Sequence, residues 1–143
     1  MDNIKLVTAA LQEYGVTEKP GSKHEERILE YFDATDHDWV RTDETAWCSA
    51  FMNHCAQEAG LEKTGALNAR SWLEIGEEVE EPQLGDVVIF WREKRDSWKG
   101  HVGIYIGEDE KYIHCLGGNQ RNEVNIKDYS KALLLGFRRL KKA

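Results

Sequence analysis

Cysteine is scarce in this chain. Cys48, Cys55 and Cys115 make an odd set with no C-x-x-C spacing, which disfavours both a disulfide framework and an ordinary structural zinc site and points to reduced thiols. Long apolar runs are also missing. Met1 leads into a polar, helix-patterned segment with no cationic stretch followed by an apolar one, so neither a signal peptide nor a membrane span is expected. Synthesis in the cytoplasm follows, and action outside the cell would need another system to export or release the protein. Basic blocks are lacking too. Lys+Arg number 19 against 26 Asp+Glu, a formal net charge of −7, and the short Arg138-Arg139-Leu140-Lys141-Lys142 tail reads as a solvated end. Nucleic acid and anionic membrane are therefore disfavoured as partners. No repeat or low-complexity segment interrupts the chain. With 143 residues, 41% of them hydrophobic, it can bury a core without staples, as one domain over 1–143 with a helical part over 1–40 and a core over 41–140.

Residues 4–14 carry Ile4, Val7, Leu11 and Tyr14 at helical spacing, with Gly15 as a stop, and predict a packing helix. After the Lys19-Pro20-Gly21 turn, Ser22-Lys23-His24-Glu25 has capping-box form and opens a second helix bearing Ile28, Leu29, Tyr31 and Phe32, with His24 solvated. Asp33 to Asp43 is a polar link. A metal loop from Asp33, Asp36, His37 and Asp38 is conceivable, but the spacing lacks the glycine and terminal glutamate of a calcium loop. Asn68 to Gly76 reads as a short helix in which Trp72 and Ile75 pack inward, or in which Arg70 and Trp72 line a cleft.

Strands are predicted over 87–91, 101–106, 112–116, 123–126 and 133–139, punctuated by Gly107 to Lys111 and Gly117-Gly118. Asp86 reads as the cap of a turn. Helices first and strands after give an α+β fold: N-terminal helices packed on one face of a C-terminal antiparallel sheet of about five strands.

The stretch Thr45-Ala46-Trp47-Cys48-Ser49-Ala50-Phe51 sets Cys48 in the first turn of a helix whose apolar face continues through Met52, Cys55 and Ala59 to a stop at Gly60. There the helix dipole and a partner imidazole can lower a thiol pKa from roughly 8.5 to about 3.5–7.5, favouring the thiolate nucleophile. Gly100-His101-Val102-Gly103-Ile104-Tyr105 offers that partner, His101, at the start of a strand. A cysteine on a helix start and a distant histidine on a strand is the pattern of a cysteine hydrolase. A third group must orient the imidazole. Asn119, in Leu116-Gly117-Gly118-Asn119-Gln120, is the leading candidate, with His114 and Gln120 as alternatives.

Trp47-Cys48-Ser49-Ala50-Phe51, Leu84-Gly85-Asp86-Val87-Val88-Ile89-Phe90, Gly100-His101-Val102-Gly103-Ile104-Tyr105 and Gly118-Asn119-Gln120 resemble, in order, the motifs of the NlpC-type and CHAP-type papain-like cysteine peptidases that cut bacterial cell walls. Glu18-Lys19-Pro20-Gly21 and Ala69-Arg70-Ser71-Trp72 are similar to a phage and prophage branch. The resemblance implies a papain-like fold and hydrolysis of a peptidoglycan amide through a thioester, either the bond from N-acetylmuramic acid to L-alanine or one within the stem peptide. It implies Cys48 as nucleophile, His101 as general base and then acid, and Asn119 as orienter. The oxyanion hole would use the Cys48 N–H and a side chain among Thr42, Asp43, Glu44 and Thr45. Trp47, Trp91, Arg70, Trp72 and Gln120 are the expected substrate contacts, with Trp98 and the loop Arg92 to Ser97 as a rim. The expectation is a monomer that needs no metal or organic cofactor and has peptidoglycan as its partner, together with a delivery apparatus or an immunity protein.

Two other readings stand beside this one. The same fold and triad serve acyl transfer or deamidation on a non-wall substrate. Alternatively, Cys48, His54, Cys55, His101, His114 and Cys115 are a metal set or plain core residues of a binding module.

Overall fold

The computed structural model describes residues 2–18, 23–36 and 45–143. Among the described residues, three helices precede the sheet: α1 (Asp2–Leu11), α2 (Lys23–Tyr31), which runs on into a 3-10 turn over Phe32–Ala34, and α3 (Thr45–Glu58). A second 3-10 turn, Ala69–Glu74, leads to the strands β1 (Glu77–Val79), β2 (Val87–Trp91), β3 (Gly100–Glu108), β4 (Tyr112–Gly117), β5 (Asn125–Ser130) and β6 (Leu134–Arg139). All pairings are antiparallel, in the order β1-β6-β2-β3-β4-β5. The α+β class is as the sequence predicts, with six strands rather than about five. The extra strand, Glu77–Val79, is a polar edge of three residues with too little alternation to announce itself. The fourth predicted strand, 123–126, lies at 125–130 instead. Its first residues, Glu123 and Val124, hydrogen-bond in the loop, where Gln120 N–H donates to Glu123 O and Val124 N–H to Val16 O.

The face of α1 also differs from its pattern. Ile4, Leu11 and Tyr14 are exposed, and the inward stripe is Leu6, Val7, Ala10 and Glu13. Glu13 is drawn inside because Arg27 holds it bidentately (2.5 and 3.0 Å) and the Tyr31 hydroxyl donates to it at 2.9 Å. A paired carboxylate can be buried; a hydrophobicity count places it outside.

Trp47 through Ala56 on α3 are all buried, so this is a central helix enclosed on every side rather than a one-faced one. Its polar groups are satisfied accordingly. Ser49 donates to Ala66 O (2.7 Å), Asn53 bridges Ser49 O and Ala66 O, and Gly65 N–H donates to Asn53 Oδ1. One sheet face, with Val87, Ile89, Val102, Ile104 and Leu116, packs on the helices, each such side chain contributing about 1.5–3 kcal/mol. The other face gathers Val88, Phe90, Tyr105, Ile113, Cys115 and Phe137 into a second cluster. Asp86 does cap its turn, accepting from Gln83 N–H (2.7 Å), and it is also gripped by Arg139 through two 2.8 Å bonds. This half-buried ion pair anchors β6, near the end of the chain, to the start of β2.

Candidate active site

Cys48 is the fourth residue of α3 and 1% exposed. The first turn of α3 is fixed from two sides. Trp47 Nε1–H donates to Glu18 Oε1 at 2.8 Å, its ring stacks on Tyr31, and Trp47 and Phe51 press on Gly118 so closely that a Cβ there would stand 2.8 Å from each. A side chain at 118 would push the loop off the cysteine helix, which is why glycine stands here.

His101 opens β3 and is 6% exposed. Its cross-strand partner is Phe90, and both rings stack on Tyr129, with centroids 5.0 Å away for His101 and 4.7 Å for Phe90. Its Nε2 is hydrogen-bonded to Gln120 Oε1 at 2.9 Å. The amide of Gln120 cannot be turned the other way without loss, because its NH2 donates to Cys115 O (3.1 Å), Asn125 O (2.8 Å) and Asn125 Oδ1 (3.0 Å). With nitrogen facing three acceptors, oxygen faces the imidazole, so His101 Nε2 must be the N–H donor. The proton-accepting lone pair is then on Nδ1. Gly117 makes room for this contact, since a Cβ there would lie 2.6 Å from Gln120 Oε1 and 3.3 Å from His101 Nε2.

Burial pushes the His101 pKa down, to about 4, against the opposing effect of the Gln120 hydrogen bond, while Lys127 and Arg92 lower it slightly further. The ring is thus a neutral base near pH 7, with its tautomer fixed. Cys48 lies within electrostatic reach of Cys115 and of Tyr129, the ring stacked on His101, and α3 packs on β3 and β4. Cys55 and Cys115 are fully buried with raised pKa values, chiefly through loss of hydration, which leaves them inert.

The sequence-named residues divide as follows. Gln120, not Asn119, holds the imidazole. Asn119 is one residue off, in left-handed backbone at φ 58°, with a buried Oδ1 that has no hydrogen-bond partner among the described residues. His114 is drawn away to Asp128 (Nδ1 to Oδ1, 2.5 Å). Trp47 and Trp72 are core residues, 3% and 0% exposed, and Trp72 donates its N–H to Ser49 Oγ at 2.9 Å, so neither offers a face to a ligand. Arg70 ties down a loop, its guanidinium donating to the carbonyls of Lys99, Arg95 and Lys94 at 2.8–3.0 Å. Trp91 is partly exposed, its N–H on Ala132 O, while Trp98 is 61% exposed. Thr42, Asp43 and Glu44 lie outside the described residues, as do Ser22, His37 and Asp38, and the side chains of His24 and Thr45 are not described either. Tyr129 and Asn125 are site residues that the sequence reading missed. Their only signal is alternation along β5, which the misplaced strand obscured.

The six Cys and His residues weighed as a metal set do not converge: His54 faces Arg27 and Tyr31, and His114 faces Asp128. Among the described residues, the group able to hold a metal ion is Asp109, His114 and Asp128, with ligand atoms within 4.8 Å of one another. His114 there already spends Nδ1 on Asp128, while Asp109 lies 4.0 Å from Nε2.

No helix among the described residues is long and apolar enough to cross a membrane. None of the curated proteins compared with the sequence matches it. Residues 40–119 match the CHAP domain, whose members are in general peptidoglycan hydrolases of the amidase or peptidase type. That span exceeds half of the chain and takes in the Cys48 helix, the His101 strand and Asn119, so this protein belongs to the CHAP domain family.

Proposed function

We propose that this chain cleaves an amide bond of peptidoglycan by a thiol mechanism, with Cys48 as nucleophile, His101 as general base and then acid, and Gln120 in the orienting role. The observation that carries the reading is the fixed tautomer of His101. With Nε2–H donated to Gln120 Oε1, Nδ1 is the atom that takes the thiol proton as sulfur attacks the amide carbonyl. The tetrahedral oxyanion gathers charge against the start of α3, where the Cys48 N–H and the helix dipole offset it. Collapse breaks the C–N bond as Nδ1–H protonates the leaving amine, leaving a thioester and a neutral imidazole. Water then enters, losing its proton to Nδ1, and the acid product departs as the proton returns to sulfur.

The loop from Arg92 to Lys99 runs directly into His101 and carries the exposed Trp98 beside Lys99, whose Nζ lies 5.8 Å from the indole centroid. Held by Arg70, it serves as a substrate rim. The wall is reached after release or secretion, with a delivery partner.

The test is incubation of wild type and Cys48→Ala with purified peptidoglycan from Gram-negative and Gram-positive sources, with soluble products identified by mass spectrometry. Cys48-dependent amine ends are expected, and their identity names the bond. Intact sacculi across several chemotypes would sink the reading and favour acyl transfer or another amide substrate.

A further inference from the structure

Asn119 is left with no role once Gln120 takes the imidazole. Two features mark it. Its Oδ1 is buried without a hydrogen-bond partner among the described residues, and its backbone sits at φ 58°, a region that asparagine tolerates better than most residues but glycine occupies without cost. A buried acceptor left unpaired is destabilising, and native proteins satisfy nearly all of them. Strain and an orphan acceptor together at one residue are typical of a contact completed by something else. Its place in the chain supports this. Gly118, on one side, packs on Trp47 and Phe51 of the cysteine helix, and Gln120, on the other, bonds His101.

We infer that Asn119 Oδ1 receives an amide N–H of the substrate, making Asn119 a binding residue that selects an amide-bearing chain rather than an orienter of His101. Stem peptides carry such donors along their length, including on the leaving-group side of the bond to muramic acid. Their backbone N–H would satisfy the acceptor only when substrate is seated, so the stabilisation withheld from the empty site appears on binding. The inference rests on the hydrolase reading.

The test uses Cys48→Ala as a non-turning-over trap, with titration calorimetry of a purified disaccharide-tetrapeptide muropeptide. Adding Asn119→Gly is expected to weaken binding by roughly 10- to 100-fold without lowering the thermal midpoint, since glycine accepts this φ and the orphan acceptor is gone. Adding Asn119→Asp, which keeps the acceptor, should stay within about threefold of the trap. In a series of muropeptides N-methylated at one amide at a time, one member should lose affinity for the trap but not for the Asn119→Gly protein. Equal binding by trap and Asn119→Gly, with wild type still cleaving sacculi, overturns this inference and leaves the hydrolase reading standing. A large fall in thermal midpoint for Asn119→Gly makes the residue structural, and Asn119→Asp as weak as Asn119→Gly makes its NH2 the contact; either overturns the acceptor role. No bound muropeptide and no cleaved sacculus overturns both readings.

Discussion

Gln120 does two things with one amide. Its oxygen fixes the His101 tautomer, and its nitrogen ties the oxygen in place through Cys115 O and Asn125. Gln120→Glu separates these functions, because the carboxylate still accepts from Nε2–H but has no donor for Cys115 O, Asn125 O and Asn125 Oδ1, and adds a charge beside the ring. An adjacent anion favours the imidazolium, so the His101 pKa should rise by about one to three units above its present value near 4. The acid limb of kcat/KM in a pH profile should move up by the same amount, with lowered activity on its plateau; an unmoved limb would show that the base is not His101. The choice between Asn119 and Gln120 was not legible in the sequence, and the backbone explains why. Asn119, Arg121 and Asn122 all have positive φ, so the alternation that tells inward from outward on β4 does not continue through this turn. The elements that carry Cys48 and His101 were legible because each is regular, and position in the repeat sets direction there. The tryptophans show the opposite error: Trp47 and Trp72 were expected at a substrate surface, yet both rings are buried, with the Trp72 N–H on buried Ser49 and the Trp47 N–H reaching out to Glu18.

At the scale of elements, the Cys48 helix, the His101 strand and the Gly117-Gly118 turn read correctly from sequence, whereas the face of α1 and the place of β5 did not. A pattern of apolar residues reports burial only where polar residues stay outside, and Glu13 does not. The turn is held to its shape by exclusion. Gly118→Ala places a methyl 2.8 Å from both Phe51 Cβ and Trp47 Cζ3, and overpacking of this kind costs about 1–3 kcal/mol. Its urea midpoint should fall accordingly, and activity should fall further than stability explains, since the loop carrying Gln120 moves with it. The Arg92 to Lys99 loop answers to a different anchor. Arg70→Ala removes all three guanidinium bonds to its carbonyls, two of them solvent-exposed, so global stability should change by about 1 kcal/mol or less. Tryptic cleavage at Arg92, Lys94 or Arg95 under native conditions should nevertheless accelerate several-fold. Unchanged cleavage would mean that the loop holds its own shape.

Across the whole molecule, buried titrating groups link stability to pH. Burial opposes charge on Glu13, but its hydrogen bonds from Arg27 and Tyr31 prevail and hold its pKa below the ordinary carboxylate value. That stabilisation is present above the unfolded pKa near 4.5 and is lost as pH falls through the lowered one. His101 and His54 act in a higher window. Both have pKa values lowered by burial, with Arg27 contributing for His54, so the unfolded chain binds protons near 6.5 that the folded one refuses. Stability should therefore be full above about pH 6.5 and decline as pH falls, with the His101 share complete only near its folded value of about 4. At 1.36 kcal/mol per unit, that share is about 3 kcal/mol. His101→Asn removes the titrating group, so urea midpoints measured from pH 7 to 4 should fall less steeply than in wild type, with His54, and Glu13 below about pH 4.5, among the groups supplying the slope that remains. Identical slopes in the two proteins would mean that the folded imidazole is hydrated and titrates as it does in the unfolded chain, and the buried, tautomer-fixed base on which the proposed thiol mechanism depends would fall with it.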